Sequence, residues 1–215
     1  MNILQIKKGE ADYPSIVFQY LGSHAPKGAR CNVPLHISAI GNPDILQHKK
    51  LAIFCSAKCP SNLILQTYDL VQKLREEGIT IISGFHSPIE QECLRLLVRG
   101  DQPIILCLAR SIERLRIRRE YRKPLAEGRL LILSPFAEKQ PRPTVAMSLY
   151  RNHFVAALAD RIFVPYAAPN SKTEKFCQEI LAWQKPVCTF ESNFNQNLIF
   201  RGAHPTSQEK FSAFS

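Results

Sequence analysis

Leu51-Ala52-Ile53-Phe54-Cys55, followed by a helical pattern of Leu63, Leu70, Val71 and Leu74 and then by Ile79-Thr80-Ile81-Ile82, is the stretch from which the fold is read. The first run follows Lys49 and Lys50 and is apolar throughout, as in a strand buried on both faces. It passes into a polar turn at residues 56–60. Ser61-Asn62 then opens a helix that Glu76-Glu77-Gly78 closes, with Gly in its usual C-terminal place. The β-branched run 79–82 is the next strand. A strand, a helix and a second strand, with a crossover this long, suit a parallel connection.

The same alternation continues in both directions. Pro88 opens a helix through Val98, residues 103–109 form a third strand, and the basic stretch 111–127 is expected to be a helix bent or shortened by Pro124. Strands follow at 130–133, 162–166 and 186–190, separated by helices at 145–159 and 172–183. The expected architecture is α/β, a doubly wound and mostly parallel sheet of Rossmann-like type. Residues 1–34 read as an irregular segment with one short helix near 15–21, residues 35–205 as the domain, and 206–215 as a frayed tail.

Composition narrows the function. The 215 residues carry 28 Lys and Arg against 18 Asp and Glu, a net charge of +10, which favours polyanionic partners. Seven basic residues (Arg110, Arg114, Arg116, Arg118, Arg119, Arg122 and Lys123) stand against Glu113 and Glu120 within residues 110–123, so half the net charge lies there. Such a run also reads as a solvated helical face. No apolar run has the length of a membrane span, and the N-terminus places Lys7 and Lys8 after apolar residues, the reverse of a secretory signal. The chain is expected in the cytosol, off the membrane. The cysteines at 31, 55, 59, 93, 107, 177 and 188 read as buried reduced thiols; Cys55 and Cys59 lack two further ligands, so no metal and no disulfide framework is expected.

A doubly wound sheet binds ligands outside the carboxyl ends of its strands. The loops placed there are 56–61, 83–87, Arg110 with Ser111, and 169–173. They are rich in hydroxyls, small residues and Lys, and helix N-termini follow them, which suits a phosphate. Ser, Asn and Pro in those places equally serve as helix caps and turns. No G-x-G-x-x-G follows the first buried strand and no Walker A string occurs, so no nucleotide cofactor is expected.

Several strings together resemble the DNA-processing protein A (DprA, or Smf) family, over roughly residues 13–203, most of the chain. Gly41-Asn42 and Leu51-Ala52-Ile53-Phe54-Cys55-Ser56-Ala57-Lys58 are similar to its G-N and V-A-I-V-G-S-R segments. Ile82-Ser83-Gly84-Phe85-His86-Ser87-Pro88-Ile89-Glu90 resembles its V-S-G-x-A-x-G-I-D. Arg151-Asn152-His153-Phe154-Val155-Ala156-Ala157-Leu158-Ala159-Asp160 resembles R-N-R-I-I-A-G-L-S-D, Pro169-Asn170-Ser171-Lys172-Thr173 stands at a small-residue loop, and Lys185-Pro186-Val187 and Leu198-Ile199-Phe200-Arg201-Gly202-Ala203 resemble R-P-V and L-I-x-x-G-A. Cys55 and Ala57 replace the family's Gly and Arg, with Lys58 nearby; Pro88 and Glu90 replace a Gly and an Asp, and Phe194 another Gly. The chain is also expected to lack the winged-helix module of many members.

The resemblance implies an extended Rossmann-like fold of the SLOG type, single-stranded DNA as partner, a role in DNA uptake, natural transformation and competence, loading of the RecA recombinase, and a homodimer. The DNA or phosphate contacts expected from these loops and strings are Ser56, Lys58, Ser83, Gly84, Arg110, Arg151, Asn152, Asn170, Ser171, Lys172 and Thr173. Phe85, His86 or Tyr150 can stack on bases, and each also reads as core. Arg151 can instead brace neighbouring loops, with Asn152 as a buried partner. The alternative is an enzyme or sensor handling a nucleotide or nucleoside phosphate. The related phosphoribohydrolases resemble P-G-G-x-G-T-x-x-E, whose paired glycines are absent from Pro169-Asn170-Ser171-Lys172-Thr173-Glu174. No catalytic constellation is legible.

Overall fold

The computed structural model describes residues 2–22, 33–113, 115–136, 140–207 and 210–211. Cys31, Arg114 and most of the expected tail lie outside the described residues. Among the described residues nine strands form one sheet: β1 Leu4–Lys7, β2 His36–Gly41, β3 Lys50–Ile53, β4 Thr80–Ser83, β5 Ile104–Cys107, β6 Leu130–Ser134, β7 Arg161–Phe163, β8 Val187–Phe190 and β9 His204–Thr206. Their order is β1-β2-β6-β5-β4-β3-β7-β8-β9, parallel from β6 to β9. The α/β, doubly wound, mostly parallel reading is therefore the observed fold. β3 starts the winding, with β4 on one side and β7 on the other, which makes the β3/β7 boundary the switch point.

Alternation along each strand sorts the core into two faces. Leu51, Ile53, Ile81, Ile104, Leu106, Leu130 and Ile132 face helices α1 (Ser61–Glu76), α2 (Pro88–Leu97) and α3 (Arg119–Ala126). Ala52, Phe54, Ile82, Ile105, Cys107, Leu131 and Leu133 face α4 (Val145–Leu158) and α5 (Lys172–Ala182), against Phe154, Phe176 and Ile180. The central strands are largely apolar on both sides because helices cover both. A short α6 (Gln196–Ile199) precedes β9. No helix among the described residues is long and apolar enough to cross a membrane.

Three strands went unread in the sequence: β1 and β2, which are antiparallel, and β9, which is parallel to β8 at the opposite edge. β1 and β2 form an antiparallel hairpin at one edge, with β2 antiparallel to β6 through Ala39↔Leu133. Part of the segment expected to be irregular is therefore sheet. Gly41 ends β2 at φ +112, and a Cβ there would lie 2.2 Å from the Leu130 carbonyl, so this crossing requires glycine. β9 closes the other edge, and beyond it Phe211 is buried against Phe163.

The second difference concerns the basic stretch. Helix was expected from 111, but α3 begins only at Arg119. Leu115-Arg116-Ile117-Arg118 alternates apolar and basic residues, and its burial alternates likewise, half-buried and exposed. That is the period of extended chain, not of helix. Pro124 sits inside α3, whose eight residues are few enough that the N–H it lacks costs one bond.

Candidate functional site

The predicted residues converge on the carboxyl edge of the sheet, where each loop is held by its own polar groups. Glu90, 6% exposed, lies in the first turn of α2. Its carboxylate accepts the backbone N–H of Cys55 at 3.0 Å and that of His86 at 2.9 Å, tying the loop after β3 to the loop after β4. Ser83 Oγ donates to the Ile53 carbonyl at 2.8 Å and accepts the Phe85 N–H at 3.1 Å. Ser56 Oγ accepts the Ala168 N–H at 3.1 Å, and the Ser56 N–H donates to the Tyr166 carbonyl at 3.0 Å. The switch-point crevice is thus stitched closed between the β3 and β7 loops.

A second carboxylate repeats the pattern at α5. Ser171 caps the helix by accepting the Glu174 N–H at 3.1 Å, while buried Glu174 accepts the Asn170 N–H at 2.7 Å and Asn197 Nδ2 at 2.6 Å. Asn170 holds φ +61, a conformation Asn tolerates better than most residues. Despite burial, these donors and the Arg201 guanidinium hold the Glu174 carboxyl below the usual range. Ser87-Pro88-Ile89-Glu90 and Ser171-Lys172-Thr173-Glu174 are the same S-x-x-E capping signal, so two helix N-termini expected to attract phosphate already hold the protein's own carboxylates. Of α1, α2 and α5, only α1 starts without a side-chain cap, beside exposed Lys58.

Arg151 is 3% exposed. Its Nη1 donates to the Cys107 carbonyl at 2.9 Å and its Nε to Asn152 Oδ1 at 2.8 Å. The guanidinium lies on the Cα of Gly84, where a Cβ would sit 1.4 Å from Nη1. Two strings quoted from the sequence, Ser83-Gly84 and Arg151-Asn152, are therefore in direct contact, and Arg151 braces the β4 and β5 tips. Burial pushes its pKa down from the ordinary arginine value, but a guanidinium remains charged at neutral pH. Cys55 and Cys59 share a sulfur hydrogen bond that pushes the buried Cys55 thiol up and the Cys59 thiol down. Among the aromatics, Phe85 is buried at φ +46, His86 is exposed, and half-buried Tyr150 packs on Phe136 at 5.6 Å.

The open feature lies beside these tips, on the face covered by α1 to α3. A cavity of about 450 Å³ lies between α2, the extended residues 115–118 and the start of α3, over the ends of β5 and β6, whose own residues stay buried. Leu106, Leu108, Ile132, Leu94, Leu115 and Ile117 give it apolar walls, and Arg95, Arg99, Arg110, Arg116 and Arg118 line it. Arg95 pairs with Glu92 at 2.6 Å and Arg118 with Glu120 at 3.7 Å. Among the described residues no carboxylate pairs with Arg99, Arg110 or Arg116.

Of the predicted contacts, Gly84 and Arg110 line this cavity. Lys58, on the loop after β3, and Lys172, the first residue of α5, are exposed outside its lining, with Thr173 half-buried beside the latter. Ser56, Ser83, Arg151, Asn152, Asn170 and Ser171 serve the loops through their own hydrogen bonds. Arg95, Arg99, Arg116 and Arg118 were not singled out as contacts. The signal that finds the last two is the period-2 alternation of residues 115–118; Arg95, in the last turn of α2, and Arg99, in the turn that follows it, carry no such mark.

The model of the family described as DNA recombination-mediator protein A matches residues 5–213. A search of curated proteins gave no match. Among solved structures, DNA processing protein A from Streptococcus pneumoniae is similar at 17% identity and a TM-score of 0.77, covering 100% of this chain and 75% of that one. The Helicobacter pylori protein, whose structure was solved for its single-stranded DNA binding mode, is similar at 18% identity and a TM-score of 0.75, covering 99% of this chain and 94% of that one. A molybdenum cofactor binding protein from Rippkaea orientalis shares the fold at 13% identity and a TM-score of 0.53, over 76% of this chain and 93% of that one.

Proposed function

Since the chain belongs to the DNA recombination-mediator protein A family, we propose that it binds single-stranded DNA, with the sugar-phosphate backbone running past the arginine-lined cavity and over the neighbouring strand tips. The observation that carries this reading is the set Arg99, Arg110 and Arg116, which line an open cavity with no carboxylate partner among the described residues. An arginine fork matches phosphate oxygens two at a time, and each phosphate neutralised releases condensed counterions. The apolar walls suit the faces of unstacked bases, which a duplex does not offer. The protein then acts in the cytosol as a homodimer, protecting incoming strands during natural transformation and loading the RecA recombinase. Lys58 and Lys172 extend the cationic surface along the tips.

A titration of a labelled oligothymidylate at several salt concentrations tests this. For three to five phosphate contacts, the logarithm of affinity falls against the logarithm of salt with a slope of about −2 to −3.5. A flat response removes the electrostatic basis. A second reading, capture of a free nucleotide or nucleoside phosphate, is favoured by the cavity volume of about 450 Å³, within the usual range for small-molecule sites. Tighter binding of a mononucleotide than of the polymer would select it.

A further inference from the structure

The cavity beside α2 differs from a groove that merely tracks a strand, in its charge as well as its size. Glu92 and Glu120 partner Arg95 and Arg118, which leaves Arg99, Arg110 and Arg116 as the cations facing it without a carboxylate among the described residues. Three guanidinium groups around a space for about one nucleotide are more charge than an internal nucleotide matches, because a phosphodiester carries a single negative charge. A terminal phosphomonoester carries about −1.5 to −2 at pH 7 and presents three acceptor oxygens. Together with the diester that joins it to the chain, a phosphorylated end brings roughly −3, the charge of the three arginines.

The backbone around the cavity is built to keep this space open. Phe85 stands at its edge in the left-handed region, φ +46, held there by the bond from its N–H to Ser83 Oγ. A bulky residue rarely adopts that conformation, and such strain persists where the surroundings impose it. On the far side, residues 115–118 stay extended and present Arg116 outward while Leu115 and Ile117 form the wall. The result is an apolar slot for a base or sugar with a cationic mouth for its phosphate.

We propose that this cavity takes the phosphorylated end of a DNA strand, with the terminal nucleotide against the half-buried Leu108, Leu115 and Ile117 and its phosphomonoester between Arg99, Arg110 and Arg116. This rests on the single-stranded DNA reading above and adds to it a preference for strand ends. The experiment compares one oligothymidylate sequence carrying a 5′-phosphate, a 3′-phosphate or hydroxyl groups at both ends, with the full chain and fluorescence anisotropy as the readout. At least one phosphorylated end binds about tenfold tighter or more than the hydroxyl-ended strand, equivalent to about 1.4 kcal/mol. In Arg99→Gln combined with Arg116→Gln that ratio falls to near one, and the ratio, not the affinity, is the quantity read.

Equal affinity for all three strands overturns the end preference while leaving single-stranded DNA binding intact. Failure of all three strands to bind sinks the parent reading instead. Persistence of the ratio in the double variant, with circular dichroism unchanged, places end recognition elsewhere and overturns this site. Thymidine 5′-monophosphate binding as tightly as the phosphorylated strand keeps the phosphomonoester chemistry but overturns the strand-end assignment in favour of a free nucleotide.

Discussion

Glu90 is the residue on which the geometry of the strand tips turns. A carboxylate 6% exposed is stable only when its oxygens are satisfied, and here two backbone N–H groups from different loops do so. Glu90→Ala leaves the Cys55 and His86 amides without a protein acceptor, and the expected loss is about 2–4 kcal/mol. Glu90→Gln keeps one acceptor oxygen and loses roughly half as much by the same reckoning. Urea unfolding checks both; a midpoint for Glu90→Ala within error of the parent would mean that the loops do not depend on this carboxylate. The residue was quoted in the sequence as a departure from the family's Asp, but its work was not visible there, since its partners lie 35 positions away at Cys55 and four away at His86.

At the scale of elements, α4 shows how a buried cation ends a helix. Lys185 Nζ donates to the carbonyls of Ala157 at 3.1 Å and Ala159 at 2.5 Å, the last groups of α4, and lies 4.1 Å from the Tyr20 ring centre. Burial outweighs the pull of Asp160 and brings its pKa down from 10.5 to about 8. Below pH 8 the ammonium is charged in both folded and unfolded chains. Between about 8 and 10.5 the unfolded chain holds the extra proton, so the contribution of this group to stability rises with pH. The unfolding free energy of the parent, taken relative to Lys185→Met, should therefore increase from pH 7 to pH 10; a difference independent of pH would show that the ammonium is not desolvated. The sequence reading placed the bounds of α1, α2, α4 and α5 within one or two residues, because caps and hydrophobic period are local signals. It failed at α3, where a basic run was taken for a helix although Leu115-Arg116-Ile117-Arg118 alternates in steps of two.

Over the whole molecule, charge and topology meet in one place. A net +10 says only that a polyanion is favoured; the fold decides which cations can act together. At the strand ends where a ligand was expected, Ser56 ties the β3 loop to the β7 loop, Glu90 ties it to the β4 loop, and Glu174 holds the start of α5, while the cavity beside α2 stays open ahead of α3. Reversing charge at the cavity, Arg110→Glu with Arg116→Glu, is accordingly expected to weaken single-stranded DNA binding by about tenfold or more with little dependence on sequence. The tip pair, Lys58→Glu with Lys172→Glu, should weaken it by only about threefold. The opposite ranking in the same titration would return the interface to the switch point.

The order of strands and helices, the two buried faces of the sheet and the family itself follow from the amino-acid sequence alone, because apolar runs, alternation, caps and short strings each depend on residues close together in the chain. The hairpin of β1 and β2 and the edge strand β9 required the folded chain, since edge strands form by pairing with partners far away in sequence. The same holds for the site. Which loop N–H groups are already taken, which arginine is a brace and which three are left facing a cavity depend on side chains brought together from distant segments, and no spacing along the chain records that.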